Sequence, residues 1–185
     1  TDTVSGVETV NGSGKNDYIA AASGGMTITG GLGADKIIGG AGTDTIIILA
    51  GDSDFGTISS PAVAVSVLAD IITLAAGDIL DLTGALATEA DYDTLTEVAA
   101  GGTITTTLTT NEVGQFVGVY DPATGNFTSS STVASGTGSS TDVDALFYTY
   151  AVADDTDTTA TEGLIIIGLG AQADSAILNG VITFA

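Results

Sequence analysis

The sequence contains no cysteine, histidine, tryptophan or arginine, and its only basic residues are Lys15 and Lys36. The absence of histidine and cysteine excludes Ser-His-Asp and Cys-His catalysis, zinc fingers and imidazole metal sites. Two lysines are too few to neutralise the phosphates of a nucleic acid, so we expect no nucleic-acid partner. Binding to an anionic membrane surface is disfavoured for the same electrostatic reason.

Long apolar segments are also missing. No run of about 18 uninterrupted apolar residues occurs, and the nearest candidate, residues 61–76, is interrupted by Asp70. We therefore expect no membrane insertion. The opening residues, TDTVSGVETV, lack the basic and apolar regions of a Sec signal peptide and do not begin with methionine, so we expect a part of a longer polypeptide.

Acidic residues and glycine are abundant instead. The 185 residues include 23 acidic side chains, a formal net charge of −21 and 26 glycines. Since 44% of the residues are hydrophobic, the composition favours a folded chain over a disordered one. The remaining chemistry is that of carboxylate, carbonyl and hydroxyl oxygens, which are the ligands of a hard cation such as calcium.

A nine-residue repeat occupies the first third of the chain. Two tandem copies, GGLGADKII and GGAGTDTII, span residues 30–38 and 39–47, and weaker copies hold the same phase on both sides. The apolar position reads Val10, Ile19, Ile28, Ile37, Ile46 and Phe55. The acidic position reads Glu8, Asp17, Met26, Asp35, Asp44 and Ser53. The glycine position reads Gly6, Lys15, Gly24, Gly33, Gly42 and Gly51.

This pattern predicts a coil of alternating turns and short strands. Glycine-rich turns of six residues expose backbone carbonyls, and three residues with a β-branched centre form a strand whose middle side chain points inward. Two repeats make one coil of about 18 residues, and successive coils stack as parallel strands. Turns that are 18 residues apart then converge, so their oxygens can surround a calcium ion.

These residues resemble the RTX family, in which the nonapeptide GGxGxDxUx builds a calcium-binding parallel β-roll. The resemblance covers roughly residues 3–55 and implies two or three bound calcium ions. It pairs Asp35 with Asp17 on one side and with residues 52–54 on the other. Met26 stands where Asp44 would find one partner, and Ala62 lies near its other neighbouring position. The implied metal ligands in this region are Asp17, Gly30, Gly31, Gly33, Asp35, Gly39, Gly40, Gly42, Asp44, Asp52 and Asp54.

After Phe55 the repeat stops, and we predict strands at about 64–74 and 78–82. This region resembles the segment that follows the repeats in serralysin-type RTX proteases. The resemblance adds Asp70, Asp78 and Asp81 as calcium ligands. Their alternative role is to cap turns through their carboxylates.

The rest of the chain predicts β-structure with one helix. A capping-box-like start at Thr88 predicts a short helix at about 89–99. Strands are expected at 103–110, 113–120, 126–133, 144–152, 163–168 and 176–184. Residues 121–126 and Asn179-Gly180 predict hairpin turns, and residues 135–140 a loop. Residues 154–157, with Glu162 beyond them, lack EF-hand spacing and indicate a solvated acidic hairpin tip.

Enzymatic activity is not expected. The segment from Gly12 to Lys15 has Asn16 where a phosphate-binding loop needs Ser or Thr. Carboxylate pairs such as Asp78 with Asp81 could serve a glycosidase. That role also needs aromatic walls, whereas the chain has only ten scattered Tyr and Phe residues, so calcium binding or solvation explains these carboxylates more simply.

The sequence therefore predicts an all-β fold: a calcium-binding parallel β-roll over residues 1–55 and a mostly antiparallel domain over 56–185. Its composition and its apolar end, ILNGVITFA, resemble secreted bacterial surface-layer proteins exported by type I secretion. The expected role is a non-catalytic C-terminal module that self-assembles through calcium, with the secretion machinery as its other partner. The alternatives are the secretion and folding module of an exported protease or lipase, or the end of a large adhesin.

Overall fold

The structure is a computed structural model that describes residues 7–53, 58–59, 62–64, 69–86, 94–98, 112–129, 143–150, 162–169 and 177–185. Within these ranges the chain is all-β, with sixteen strands in two mixed sheets and no helix. This confirms the predicted fold class. No described segment forms a helix that is long and apolar enough to span a membrane.

The repeat region forms a coil of three-residue strands. These strands are β1 (Thr9–Asn11), β2 (Tyr18–Ala20), β3 (Thr27–Thr29), β4 (Lys36–Ile38) and β5 (Thr45–Ile47). Strands β1, β3 and β5 pair in parallel in one sheet, and β2 and β4 pair in parallel in the other. Each residue lies opposite the residue 18 positions later, as the repeat predicts.

The aliphatic position of the repeat forms the core of the coil. Ile28, Ile37 and Ile46 are fully buried, because the middle residue of each short strand points inward between the two sheets. Val10 and Ile19, in the first coil, are only half-buried. Full burial of each isoleucine stabilises the fold by about 1.5–3 kcal/mol.

The parallel coil continues beyond the recognisable repeats. Strands β8 (Ile71–Thr73) and β9 (Ile79–Asp81) pair in parallel with β4 and β5. Two short strands between β5 and β8, β6 (Ile58–Ser59) and β7 (Ala62–Ala64), pair with each other and lie outside the parallel ladder of the coil. The parallel coil thus extends past residue 55, which is the boundary that the sequence pattern predicts between the two domains.

The C-terminal strands extend both sheets. They are β10 (Thr94–Val98), β11 (Glu112–Asp121), β12 (Asn126–Ser129), β13 (Val143–Tyr150), β14 (Glu162–Ile167), β15 (Ile177–Leu178) and β16 (Val181–Thr183). Strand β14 pairs in parallel with β8 and antiparallel with β13, which joins the coil to the antiparallel part. Strand β16 pairs antiparallel with β9 at the end of the other sheet.

The two predicted hairpins are confirmed. Strands β11 and β12 are joined by the turn after Asp121, and β15 and β16 by Asn179 and Gly180. Both central residues of the second turn have positive φ, 50° and 78°, as a two-residue type I′ turn requires.

The predicted helix at 89–99 is wrong over the residues that the structure describes. Residues 94–98 form β10, paired in parallel with β11. A short isolated helix is marginal, so pairing with a long neighbouring strand prevails over the weak capping signal. The strand expected at 103–110 and the loops at 135–140 and 154–157 lie outside the described residues.

Buried side chains from the coil and the C-terminal strands share one cluster. It combines the coil residues Ile37, Ile46 and Ile72 with Tyr148 and Phe184. The rings of Tyr148 and Phe184 meet edge to face, with centroids 6.4 Å apart. The C-terminal residues are therefore packed into the end of the coil.

Candidate metal centre

The turns between the strands form two stacks, one on each side of the coil. We call residues 12–17, 30–35 and 48–53, together with Asp70, the first turn stack, and residues 21–26, 39–44 and 74–78 the second turn stack. Glycine lets successive turns approach closely. Gly40 has a φ of 88°, and a Cβ there would lie 2.7 Å from the carbonyl oxygens of both Ala21 and Ala22. Carbonyl oxygens of one turn thus lie against the backbone of the next.

Aspartates hold the stacked turns together through one oxygen of each carboxylate. The Asp35 Oδ1 accepts a 2.8 Å hydrogen bond from the backbone N–H of Asp17, and the Asp44 Oδ1 accepts one of the same length from Met26. The Asp70 Oδ1 accepts from the N–H of Asp35 at 2.8 Å. We call this series the aspartate ladder. A hydrogen bond to a charged acceptor contributes about 1.5–3 kcal/mol, so these bonds favour the stacking of the turns.

The second turn stack has the same arrangement. The Asp78 Oδ1 accepts a 2.9 Å hydrogen bond from the N–H of Asp44. The turn that ends at Asp78 contains five residues instead of six, and Asp78 follows Asp44 by 34 positions. Asp78 therefore has the same structural role as the repeat aspartates, although it does not lie 18 residues after its neighbour as they do.

Three carboxylate oxygens in these stacks are buried without a hydrogen-bond donor. No donor among the described residues reaches Oδ2 of Asp35, Asp44 or Asp70, whose side chains are at most 1% exposed. A buried, unsatisfied carboxylate oxygen is costly. Gly30 lies directly beside the free oxygen of Asp35, and a side chain at that position would collide with it.

Burial perturbs the acidity of these groups. It raises the pKa of Asp35 and Asp44, although a backbone hydrogen bond opposes the shift in each. It raises the pKa of Asp70 to about 8, where the hydrogen bond from Asp35 opposes the shift and the charges of Asp35 and Asp52 add to it. Each of these groups thus resists carrying a negative charge unless a positive charge is supplied.

Other aspartates use their second oxygen to cap a turn. The Asp17 Oδ2 accepts from both the N–H and the hydroxyl of Ser13, at 2.7 and 2.8 Å. Ser13 occupies the turn position that Gly31 and Gly40 occupy in the later repeats, so those turns have no hydroxyl at that position. The Asp52 Oδ2 accepts from the N–H of Leu49 at 2.8 Å.

Two more of the predicted ligands cap turns. The Asp78 Oδ2 accepts from the N–H of Ala75 at 2.8 Å. The Asp81 carboxylate accepts from the N–H and hydroxyl of Thr83 at 3.0 and 2.6 Å. The capping role that the sequence left open is thus present at both residues. Asp54 lies outside the described residues.

Asp17 beside Asp35 and Met26 beside Asp44 are confirmed, but the neighbour predicted on the other side of each aspartate is wrong. Asp70 lies next to Asp35 in the first turn stack, in place of residues 52–54, and Asp78 lies next to Asp44 in place of residue 62. The physical reason is that β6 and β7 stand between β5 and β8 in the chain without joining the parallel strands, so the next coil begins later than the repeat spacing predicts. Ser53 lies one step further along, where its hydroxyl accepts from the N–H of Asp70 at 2.8 Å and donates to the carbonyl of Gly163 at 2.9 Å.

Glu162 also differs from the expectation of an acidic, solvated hairpin tip. It begins β14, is only 6% exposed and accepts a hydrogen bond from the N–H of Gly51. This contact ties the end of the first turn stack to the antiparallel strands. No sequence signal indicated it, because the two residues are 111 positions apart.

The predicted glycine positions lie within the stacked turns. Gly31, Gly33, Gly40 and Gly42 have positive φ, and Gly30 and Gly39 lie beside carboxylate oxygens. In the described part of the chain, no group of three or more His, Cys, Asp or Glu side chains is placed to hold a metal ion. Since the ladder places at most one carboxylate in each turn, a cation here would take one or two carboxylate oxygens and complete its shell with carbonyl oxygens. The free Oδ2 atoms and the close carbonyls fit such a set.

Comparison of the sequence with protein-family models and with curated proteins finds no match.

Proposed function

We propose that this chain is a non-catalytic module whose parallel coil binds calcium ions in its turn stacks. The observation that supports this most directly is the set of three buried Oδ2 atoms, on Asp35, Asp44 and Asp70, that have no donor among the described residues. Hard oxygen ligands on closely packed, carbonyl-rich turns are the donor set that calcium prefers. A bound ion would supply the positive charge that these carboxylates lack.

Calcium binding should also drive folding. The chain carries a net charge of −21, so the compact state is opposed by self-repulsion. The stacked turns exist only in the folded coil, and a ligand that binds only the folded state adds its binding free energy to stability. At a concentration 100 times the dissociation constant, each ion adds about 2.7 kcal/mol.

The biological setting that we propose is the C-terminal end of a secreted bacterial surface-layer protein. Type I secretion would export the chain unfolded from a calcium-poor cytosol, and calcium outside the cell would order it and promote self-assembly. The composition supports this proposal, because the chain is acidic, cysteine-free and almost without basic residues. The sequence resemblance to RTX repeats supports calcium as the trigger.

Calcium titration of the full chain tests the binding proposal. We expect heat of binding in isothermal titration calorimetry, and a calcium-dependent, chelator-reversible rise in β-type circular dichroism. Magnesium at equal concentration serves as the control and should act weakly, because it loses its water reluctantly and demands octahedral geometry. Identical spectra and no binding heat with calcium would contradict the proposal.

Self-assembly requires a separate measurement. We expect sedimentation or light scattering to show calcium-dependent association at millimolar calcium. A chain that binds calcium and stays monomeric would retain the calcium module and reject the lattice role, which would favour the module of an exported hydrolase instead.

A further inference from the structure

In the described part of the chain, the coil is covered at one end and open at the other. Strands β14 and β16 pair with β8 and β9 at the far end, whereas β1 and β2 are the terminal strands of the two sheets. At this open end the inward residues Val10 and Ile19 are only half-buried, although the isoleucines of the following coils are fully buried. The first coil therefore has an apolar layer with no neighbour among the described residues.

The backbone of both terminal strands has hydrogen-bonding groups that point away from the coil. In β1, the bonds of Glu8 and Gly12 to β3 fix the alternation along the strand, and in β2 the bonds of Asp17 and Ala21 to β4 do the same. The N–H and C=O groups that consequently point outward belong to Thr9, Asn11, Tyr18 and Ala20. Neither strand contains a proline or a charged side chain that would block pairing with another strand.

A two-fold axis parallel to these strands brings both terminal strands of one copy against those of another. The chain runs through β1 and β2 in opposite directions, and each coil advances by one strand spacing, so β2 lies half a spacing behind β1. Rotation about this axis places each β1 antiparallel to the β2 of the other copy, at equal spacing on both sides. An axis perpendicular to the sheets would pair only the β1 strands and leave the β2 strands too far apart.

We infer that two copies of this chain pair through the open ends of their coils, an inference that rests on the self-assembly proposed above and names one of its contacts. In this arrangement Thr9 lies opposite Ala20 of the second copy, and Asn11 lies opposite Tyr18 of the second copy. The outward N–H and C=O groups of each pair then bond to each other. The half-buried inward residues of the two copies meet across the same boundary and cover one another.

Charges at the open end favour the same pairing. Lys15 is exposed in the turn 12–17, and its backbone lies against Gly33 of the turn behind it. Asp17 is the first aspartate of the ladder; Ser13 donates to its Oδ2, and no donor among the described residues reaches its Oδ1. Because the two-fold axis brings the turns 12–17 of the two copies together, each Lys15 faces the Asp17 carboxylate of the second copy.

The size of this contact sets its strength. Two three-residue strands and one turn from each copy bury less than the about 1,200 Å² of a stable interface, so we expect a weak dimer that dissociates on dilution. Because the far end of the coil is already paired, the contact closes as a dimer and does not extend into a filament.

Lys15→Glu and Lys36→Glu are matched variants, because each replaces one of the two lysines and changes the net charge equally. Lys36 is exposed in β4, one strand behind the open end. In calcium, sedimentation equilibrium should show that Lys15→Glu raises the dissociation constant of the dimer about tenfold, since two exposed ion pairs are lost, and that Lys36→Glu changes it little. Equal effects would overturn the inference, because they would reflect net charge alone.

Disulfide formation tests the pairing directly, because the chain has no cysteine of its own. Thr9→Cys and Ala20→Cys change exposed side chains, and oxidation of a mixture of the two variants should give mainly the mixed dimer. The control partner for Thr9→Cys is Thr183→Cys, which is exposed on β16 beyond the far end of the coil and should cross-link weakly. Equal yields from the two mixtures would overturn the assigned pairing.

Calcium titration of the wild type separates failure of this contact from failure of the proposed function. If the wild type binds calcium, gains β-structure and stays monomeric at high protein concentration, the contact is overturned and the calcium module stands. If the wild type binds no calcium and the mixture of Thr9→Cys and Ala20→Cys still gives the mixed dimer, the contact stands and the calcium-binding function falls.

Discussion

In calcium-free buffer, the folded chain should lose stability as the pH rises from about 4 to about 8, with Asp70 as a main contributor. Its carboxylate is fully buried, and its Oδ2 has no donor among the described residues. Burial raises its pKa from 3.8 to about 8, although the hydrogen bond from Asp35 opposes the shift. The folded state therefore retains a proton that the unfolded state has already released.

The sign and size of the effect follow from this difference in bound protons. Between the two pKa values the folded state binds one more proton than the unfolded state, so stability falls by up to about 1.4 kcal/mol per pH unit. The full shift sets an upper limit of about 6 kcal/mol, and we expect about 2–3 kcal/mol because water penetration and relaxation weaken buried electrostatic effects. Below the unfolded-state pKa, Asp70 is protonated in both the folded and the unfolded state, so it no longer lowers the free energy of unfolding.

Urea denaturation of the wild type and Asp70→Asn, between about pH 5 and pH 8 without calcium, measures this effect. The asparagine keeps the Oδ1 that accepts from Asp35 but cannot ionise. We expect the free energy of unfolding to fall with pH more steeply in the wild type than in the variant. Equal slopes, or a wild-type stability that rises over this range, would refute the assignment of a buried proton to Asp70.

Three further substitutions test the packing of the coil, each by urea denaturation of the full chain. Ile37→Ala removes a fully buried side chain of the coil and should lower the free energy of unfolding by about 2–5 kcal/mol. Leu32→Ala should change it little, because Leu32 is 56% exposed. Equal effects of the two substitutions would contradict the predicted inward-facing register. Gly42→Ala should cost about 1–3 kcal/mol, because φ is 117° there and the added Cβ would lie 2.8 Å from the backbone of Gly24 in the neighbouring turn; Gly14→Ala, whose Cβ would face open space, should be tolerated. Ser53→Ala should cost about 1–3 kcal/mol, because the buried Asp70 N–H and Gly163 carbonyl lose a shared partner; an unchanged midpoint would count against that bridge.

The sequence predicted the parts of the fold that repeat locally. The nine-residue phase gave the 18-residue register and the inward ladder of Ile28, Ile37 and Ile46, because strand alternation and glycine turns are short-range properties. The Asn179-Gly180 hairpin follows from turn chemistry alone. These features need no knowledge of distant contacts.

The next members of the aspartate ladder could not be found by counting residues. Asp70 and Asp78 follow Asp35 and Asp44 by 35 and 34 positions, because β6 and β7 intervene in the chain and the turn 74–78 is one residue short. A local signal does exist, since each aspartate precedes the inward aliphatic residue by two positions, as in Asp70 before Ile72. A spacing of two residues is too short a pattern to identify these aspartates once the nine-residue repeat is lost.

The helix prediction failed for a related reason. Its evidence was a capping pattern within one segment, whereas β10 is defined by pairing with β11. Glu162 shows the same limit, since its burial depends on contact with Gly51 at the end of a distant turn. Contacts between separate segments decided each of these outcomes.

The two oxygens of a ladder aspartate act in opposite directions, which explains why a cation would decide the stability of the coil. Each Oδ1 hydrogen bond contributes about 1.5–3 kcal/mol to stacking. Neighbouring strands lie about 4.8 Å apart, and two carboxylates at that distance repel by about 3–4 kcal/mol at an effective dielectric constant of about 20. When these carboxylates are ionised, the first turn stack contains two such steps, from Asp17 through Asp35 to Asp70, and the second contains one, from Asp44 to Asp78. Because attraction and repulsion are nearly equal at each step, a divalent ion that removes the repulsion and leaves the hydrogen bonds intact shifts the balance toward the folded coil.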